Sequence, residues 1–232
     1  MGVEDYLNGQ TLLIDKPLEW SSFQVVNKLR WLIRKQFNIK KIKVGHAGTL
    51  DPLASGLLLI CTGKFTKTIN ELQGQVKEYT GTITLGGTTP SYDLETEVDQ
   101  KFPVDHITPE LILETTQQFI GKIDQFPPVF SALKKDGKRL YEYARKGEEV
   151  EVKSRQIEIN EFEITSVDLD TLKVDFRVVC SKGTYIRSLA HDFGKALNSG
   201  GHLSALRRTK IGDYNVDNAI TPEAFETMIK EL

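Results

Sequence analysis

Cysteine is scarce in this chain of 232 residues: there are two, Cys61 and Cys180. Both lie in apolar segments, so they predict buried, reduced thiols and exclude a disulfide framework. No Cys-x-x-Cys occurs, and the four histidines (His46, His106, His191, His202) are scattered without metal-ligand spacing. No Gly-x-Gly-x-x-Gly opens a helix and no P-loop is present, so neither a dinucleotide nor an S-adenosylmethionine site is suggested. A metal-free, cofactor-free chemistry is left, drawing on carboxylates, aromatics and cations. No apolar run approaches the length of a membrane span; the longest, Leu57–Cys61, reads as a buried strand. The first fifteen residues show no basic patch followed by an apolar core, so no signal peptide is evident and a cytoplasmic protein is expected. Internal repeats, low-complexity stretches and Pro/Gly-rich linkers are also missing, which favours one compact mixed domain with a mostly antiparallel sheet.

Net charge is small, −2, but unevenly spread. From Asn27 to Val44 there are seven basic residues (Lys28, Arg30, Arg34, Lys35, Lys40, Lys41, Lys43) and no acidic one. A second cluster is Lys134, Lys135, Lys138, Arg139, Arg145 and Lys146; a third is Arg207, Arg208 and Lys210. Acidic residues gather in 93–114 and 148–170. Such segregation can make one face basic while the total stays negative. The first run has no counter-charge and reads as a phosphate contact surface.

Periodicity places the elements coarsely. A strand is predicted over 11–15, and a helix from Ser21 or Ser22 to about Phe37 with Phe23, Val26, Leu29 and Ile33 on its apolar face. Gly63–Gln73 reads as helical and Tyr79–Leu85 as a strand. Gly86–Val104 is a polar loop of a length that is often functional. Helices follow at 109–120 and 139–146, paired strands at 150–164 and 171–180, then helices at 186–197 and 221–232.

The stretch Gly45-His46-Ala47-Gly48-Thr49-Leu50-Asp51-Pro52-Leu53-Ala54-Ser55-Gly56 sets one carboxylate in a glycine-rich loop against a proline. Glycine permits φ > 0 and close approach, and Pro52 biases Asp51 toward an extended backbone. Taken alone, the loop is either a site or a structural turn in which Asp51 caps a short helix with Pro52 at its first position.

The full string resembles the active-site motif of the TruB family of tRNA pseudouridine synthases. Further matches follow in the family's order: Asp15-Lys16-Pro17, Thr66-Lys67, Lys77-Glu78-Tyr79, Pro127 to Lys134, Gly183-Thr184-Tyr185-Ile186-Arg187 and Leu206-Arg207-Arg208. Together they span about residues 10 to 214. The resemblance implies an α+β pseudouridine synthase fold, with a central mixed, mostly antiparallel sheet flanked by helices and an active-site cleft across the sheet. It implies a catalytic domain over 1–214 and a short helical tail over 215–232 in place of the family's extra RNA-binding domain. The implied reaction converts a T-loop uridine of tRNA, the family's position 55, to pseudouridine, without metal or nucleotide cofactor, in a monomer that binds the tRNA T-arm and no membrane.

By the same resemblance Asp51 is the nucleophile and Arg187 its ionic partner. Arg187 is locally unexpected, because a helix N-terminus prefers negative charge. Tyr79 and Tyr185 would stack on the extruded base, Leu206 would wall the pocket, and His46 would enter the RNA loop. Lys16 and Lys67 would support the site or contact phosphate. Three departures from the family pattern put loop conformation in question: Glu19 where glycine is usual, Val76 where an acid is common, and Thr89-Pro90-Ser91-Tyr92-Asp93, which lacks one acid but keeps Asp93. Two other readings stand: a non-catalytic RNA-binding or RNA-folding module, and a guide-RNA-dependent synthase.

Overall fold

The computed structural model describes residues 2–232. In chain order the elements begin with α1 (Val3–Asn8), β1 (Thr11–Lys16), α2 (Ser22–Gln36), β2 (Val44–His46), β3 (Ala54–Thr62), α3 (Ile69–Gly74) and β4 (Lys77–Leu85). They continue with the short β5 (Gly87–Thr88) and β6 (Gln100–Lys101), α4 (Pro109–Thr116), β7 (Gly121–Gln125), β8 (Lys134–Lys135), β9 (Lys138–Arg139) and α5 (Leu140–Ala144). The last are β10 (Arg155–Asp168), β11 (Lys173–Cys180), α6 (Ile186–Ala196), β12 (Gly201–Ile211), β13 (Tyr214–Asn215) and α7 (Pro222–Lys230). Strand pairing is mostly antiparallel, as expected of the α+β class. Two compact units result: one holds the chain up to Tyr79 together with Leu206–Leu232, the other Thr80–Ala205. Both β4 and β12 pass from one unit into the other along their length.

In the first unit β3 is the organising strand. It runs antiparallel to β1 and to β2, and parallel to the second half of β12. Its apolar run is unbroken because both faces are buried. Leu58 and Ile60 pack with Val25, Val26, Leu29 and Ile33 of α2 and with Phe225 and Ile229 of α7. Leu57 and Leu59 pack on the other side with Ile211 and Val216. The α2 start is a capping box: the Ser21 hydroxyl accepts from the Gln24 amide while Gln24 reaches back to Ser21. Its buried stripe is Ser22, Val25, Val26, Leu29, Leu32 and Ile33. Phe23, expected on that face, is instead 63% exposed. Measured at 100° per residue, it lies about a third of a turn from the stripe's centre, and the small Ser22 takes the inward position.

In the second unit β10 pairs antiparallel with both β11 and β7. Phe162, Phe176, Phe119 and Phe193 form the aromatic core, with ring centroids 5.4–6.2 Å apart in edge-on or tilted arrangements. β10 begins at Arg155, five residues later than expected. The long polar loop is partly structured by the β5–β6 pair. α1, β7 and β12 were not legible from periodicity, and Asp136-Gly137 turns the β8–β9 hairpin. Both cysteines are buried and neither is in a disulfide. Among the described residues no helix is long and apolar enough to cross a membrane.

Candidate active site

The Asp51 loop joins β2 to β3 in the first unit and is tied down at several points. Ala47 N donates to Leu59 O at 2.9 Å, continuing the β2 pairing. Buried Ser22, at the first position of α2, accepts from Leu50 N at 2.8 Å and donates to Leu50 O at 3.0 Å. Glu19 N donates to Pro52 O at 2.8 Å, and Ala54 N to Asp51 O at 3.1 Å. No helix follows Asp51: Pro52 and Leu53 form a turn that runs straight into β3, so the helix-cap alternative does not describe this loop. The parallel pairing of Leu206 with Ala54 and of Arg208 with Gly56 claims the backbone for the sheet instead.

Arg208 is the central tie. Its side chain, 1% exposed, donates to Leu57 O at 2.8 Å, to Gly48 O at 3.0 Å and to Thr49 O at 3.5 Å. A guanidinium carries five donors in a fixed fork, so it can fix several carbonyls at once. The fit requires Gly56, whose φ is +102° and where a Cβ would sit 2.3 Å from Arg208 O. The sequence places Arg208 in a basic cluster and in the Leu206-Arg207-Arg208 match, without assigning it a role at the loop. The signal was present: along a strand residues 206 and 208 share a face while 207 takes the other. Arg207 indeed pairs with Asp15 at 2.7 Å, and Lys210 with Glu78 at 3.4 Å, so the third basic cluster is neutralised or buried.

Lys16 sits opposite Gly56 across β1 and β3, fully buried. Its Nζ donates to Trp20 O at 2.6 Å and Pro17 O at 2.9 Å. Burial lowers its pKa to about 8, opposed by the charge of Asp51 and assisted by that of Arg208. The unfolded chain therefore binds an extra proton between about pH 8 and 10.5, so the native state gains stability as pH rises through that window, by up to roughly 3 kcal/mol. The stability difference between wild type and Lys16→Met is expected to shift toward wild type over this range in pH-dependent denaturation. Parallel curves for the two proteins would refute it.

His46 faces Ile60 in the β2–β3 pairing, half-buried. Burial, then the charge of Arg208, pushes its imidazole below the usual histidine range, which favours the neutral form. Tyr79 is buried in β4, Leu206 is half-buried, and Lys67 is exposed on the 3₁₀ turn Gly63–Thr68. Glu19, which stands where glycine is usual, adopts φ +66°. A left-handed backbone at a non-glycine residue costs about 1–2 kcal/mol, so the loop beside Pro52 stores strain there. Val76 is exposed, and its carbonyl accepts from Gly212 N at 2.9 Å.

In the second unit Arg187 occupies the second position of α6, buried to 4% exposure. Its Nη1 donates to Phe130 O at 3.0 Å and Ser91 O at 3.3 Å, and Asp93 Oδ2 lies 3.6 Å from its Nε. The retained acid of the polar loop thus offsets the cation that α6's N-terminus disfavours. Ser91 Oγ and Thr89 Oγ1 both donate to Asp93 O, holding that loop without the missing acid. Tyr185 caps α6; buried Gln125 donates to its carbonyl at 3.1 Å and accepts from its amide at 2.8 Å, while Arg155 lies over its ring at 5.1 Å. Gln125 and Arg155 were not anticipated. Among the described residues no group of three or more His, Cys, Asp or Glu is placed to hold a metal ion.

Comparison with known proteins gives consistent matches. The profile of the TruB family pseudouridylate synthase N-terminal domain matches residues 34–186, and that of the tRNA pseudouridylate synthase B C-terminal domain matches 187–231. The chain is 67% identical over 231 residues to tRNA pseudouridine synthase B of Flavobacterium johnsoniae, covering 99% of this chain and 100% of that protein. It is 56% identical to tRNA pseudouridine synthase B of Phocaeicola vulgatus, covering 95% and 93%. Its fold is similar to a chain in the crystal structure of a Cbf5–Nop10–Gar1 complex, with TM-score 0.69, 30% identity and 95% of this chain covered. It spans 54% of that solved chain.

Proposed function

Since the chain belongs to the TruB family of pseudouridylate synthases, we propose that it isomerises uridine 55 of the tRNA T-loop to pseudouridine with Asp51 as nucleophile. The observation that carries the reading is the way Ser22, Glu19 and Arg208 fix the loop bearing Asp51. A catalytic carboxylate gains most when its geometry is set before substrate arrives, and a buried arginine spent on loop carbonyls serves that end.

The reaction breaks the N1–C1′ bond and forms C5–C1′. C5 loses a proton and N1 gains one. Atoms and electrons balance within the nucleotide, so no metal, nucleotide cofactor or co-substrate is called for. The base must first leave the folded loop, and flipped bases are held by stacking. Tyr79 and Tyr185 take that role, with Leu206 as the apolar wall. Neutral His46 enters the vacated place in the RNA loop without a charge to desolvate. Arg187, oriented by Asp93, is the counter-ion of the nucleophile; buried Lys16 supports the site and exposed Lys67 contacts phosphate. The catalytic domain is 1–214 with 215–232 as its helical tail, acting as a cytoplasmic monomer on the T-arm.

The guide-dependent reading draws on the Cbf5 likeness, at 30% identity. The far higher identity to proteins named for tRNA favours autonomous action on tRNA. The test is an unmodified tRNA transcript incubated with this protein and a chelator, with no guide RNA. Pseudouridine is expected at position 55 and nowhere else, and a transcript with cytidine at that position should yield none. Absence of product from wild type, or product at another uridine, would refute the proposal.

A further inference from the structure

We infer that the first unit carries a groove for an RNA sugar–phosphate backbone, one that joins Lys67 to six further cations and engages a second stretch of the same substrate. It rests on the tRNA reading above. An open groove of about 690 Å³ lies between α2, the connection to β2 and the 3₁₀ turn Gly63–Thr68. Arg30 and Arg34 line it from α2, Lys40, Lys41 and Lys43 from the connection, and Lys64 and Lys67 from the turn. No carboxylate and no aromatic ring lines it.

Among the described residues none of these seven cations makes an ion pair. Where they have partners, these are neutral: Lys64 donates to Asn8 Oδ1 at 2.9 Å, and Arg30 to Asn27 Oδ1 and Val44 O at 3.0 Å each. Four cations elsewhere in the same unit are neutralised, Lys28 and Lys230 by Glu226, Arg207 by Asp15 and Lys210 by Glu78. Like charges gathered in one groove repel and oppose compaction. A set of seven cations gathered in one groove without a carboxylate suits an external polyanion. Seven charges spread over three segments exceed what one phosphate group can use, whereas a nucleic-acid backbone presents charge continuously. With no ring to stack on a base, the groove would position the RNA rather than read its sequence.

The test compares Arg34→Gln/Lys40→Gln/Lys41→Gln with Lys101→Gln/Lys122→Gln/Lys173→Gln, a control that removes the same charge from exposed sites in the other unit. Affinity for a full-length tRNA transcript is measured across a salt series, beside wild-type product formation. The groove variant is expected to raise Kd about tenfold at about 0.1 M salt and to lower the slope of log K against log salt by roughly 2. The control should keep wild-type affinity and activity. Unchanged Kd and slope in the groove variant, or equal loss in the control, would overturn the groove. Should the triple variant fail to fold, Lys41→Gln alone is expected to lower the slope by about 1, and no change would overturn it equally. Wild type that binds tRNA through the groove yet forms no pseudouridine would instead sink the functional reading. Wild type that forms product while the groove variant binds normally would sink the groove alone.

Discussion

Asp51→Asn is expected to abolish pseudouridine formation, with a fall of about 10⁴-fold or more in single-turnover rate, while tRNA affinity stays within about threefold. Asparagine keeps the size of the side chain but lacks the charge and the nucleophilic oxygen. The loop's own ties, through Ser22, Glu19 and Arg208, run to backbone atoms and survive the change. Release of tritium from C5-labelled uridine reads the reaction directly, because the C5 proton is lost. Binding on the same transcript separates chemistry from recognition. A variant that retained turnover within a hundredfold of wild type would remove Asp51 from the role of nucleophile.

Arg208→Met should be the most damaging substitution outside the reacting groups. It leaves the carbonyls of Leu57 and Gly48 without their charged donor inside the fold. Removing one side of a buried charged network costs about 3–5 kcal/mol, and for a chain of this size that corresponds to a fall in Tm of roughly 10 °C. Even at temperatures where the variant is folded, the Asp51 loop loses its fixed carbonyls, and turnover should fall about a hundredfold. Arg207→Gln, one residue away, provides the contrast. Its partner Asp15 is reached from a half-exposed position, and such pairs contribute under about 1 kcal/mol. Calorimetry of the two variants decides the matter: equal stabilities would mean that Arg208 is not the pin of the loop.

Much of this was legible in the chain. The α2 capping box, the buried run of β3 and the glycine-rich loop all carry local signals that tertiary contacts reinforce. Phe23 misled because three-residue spacing is shared by residues on the edge of a stripe and in its centre, and only packing against β3 chooses between them. β12 was missed because its second half is polar and basic, yet two of its cations are consumed internally, by loop carbonyls and by Asp15. No local rule states that an arginine will be buried against backbone oxygens; that depends on where β3 and its loop are placed. Gln125 is similar. Its side chain clasps the Tyr185 peptide sixty residues away, a relation with no sequence period. The Glu19 departure was visible as an oddity, and the positive φ turns it into strain at a known position.

Ser22 has a double allegiance. It forms the first turn of α2 and, through one hydroxyl, grips both backbone groups of Leu50. The helix terminus and the loop that bears the carboxylate are therefore coupled through one side chain. Fraying of the first α2 turn, ordinarily a low-energy and local event, would release Leu50 and leave the Asp51 loop to its Arg208 and Glu19 ties. The capping box at Ser21 and Gln24 thus acts as a latch on the loop's lifetime as well as a stabiliser of the helix. In hydrogen exchange the Leu50 amide is expected to open with the start of α2, although twenty-eight residues separate it from Ser22.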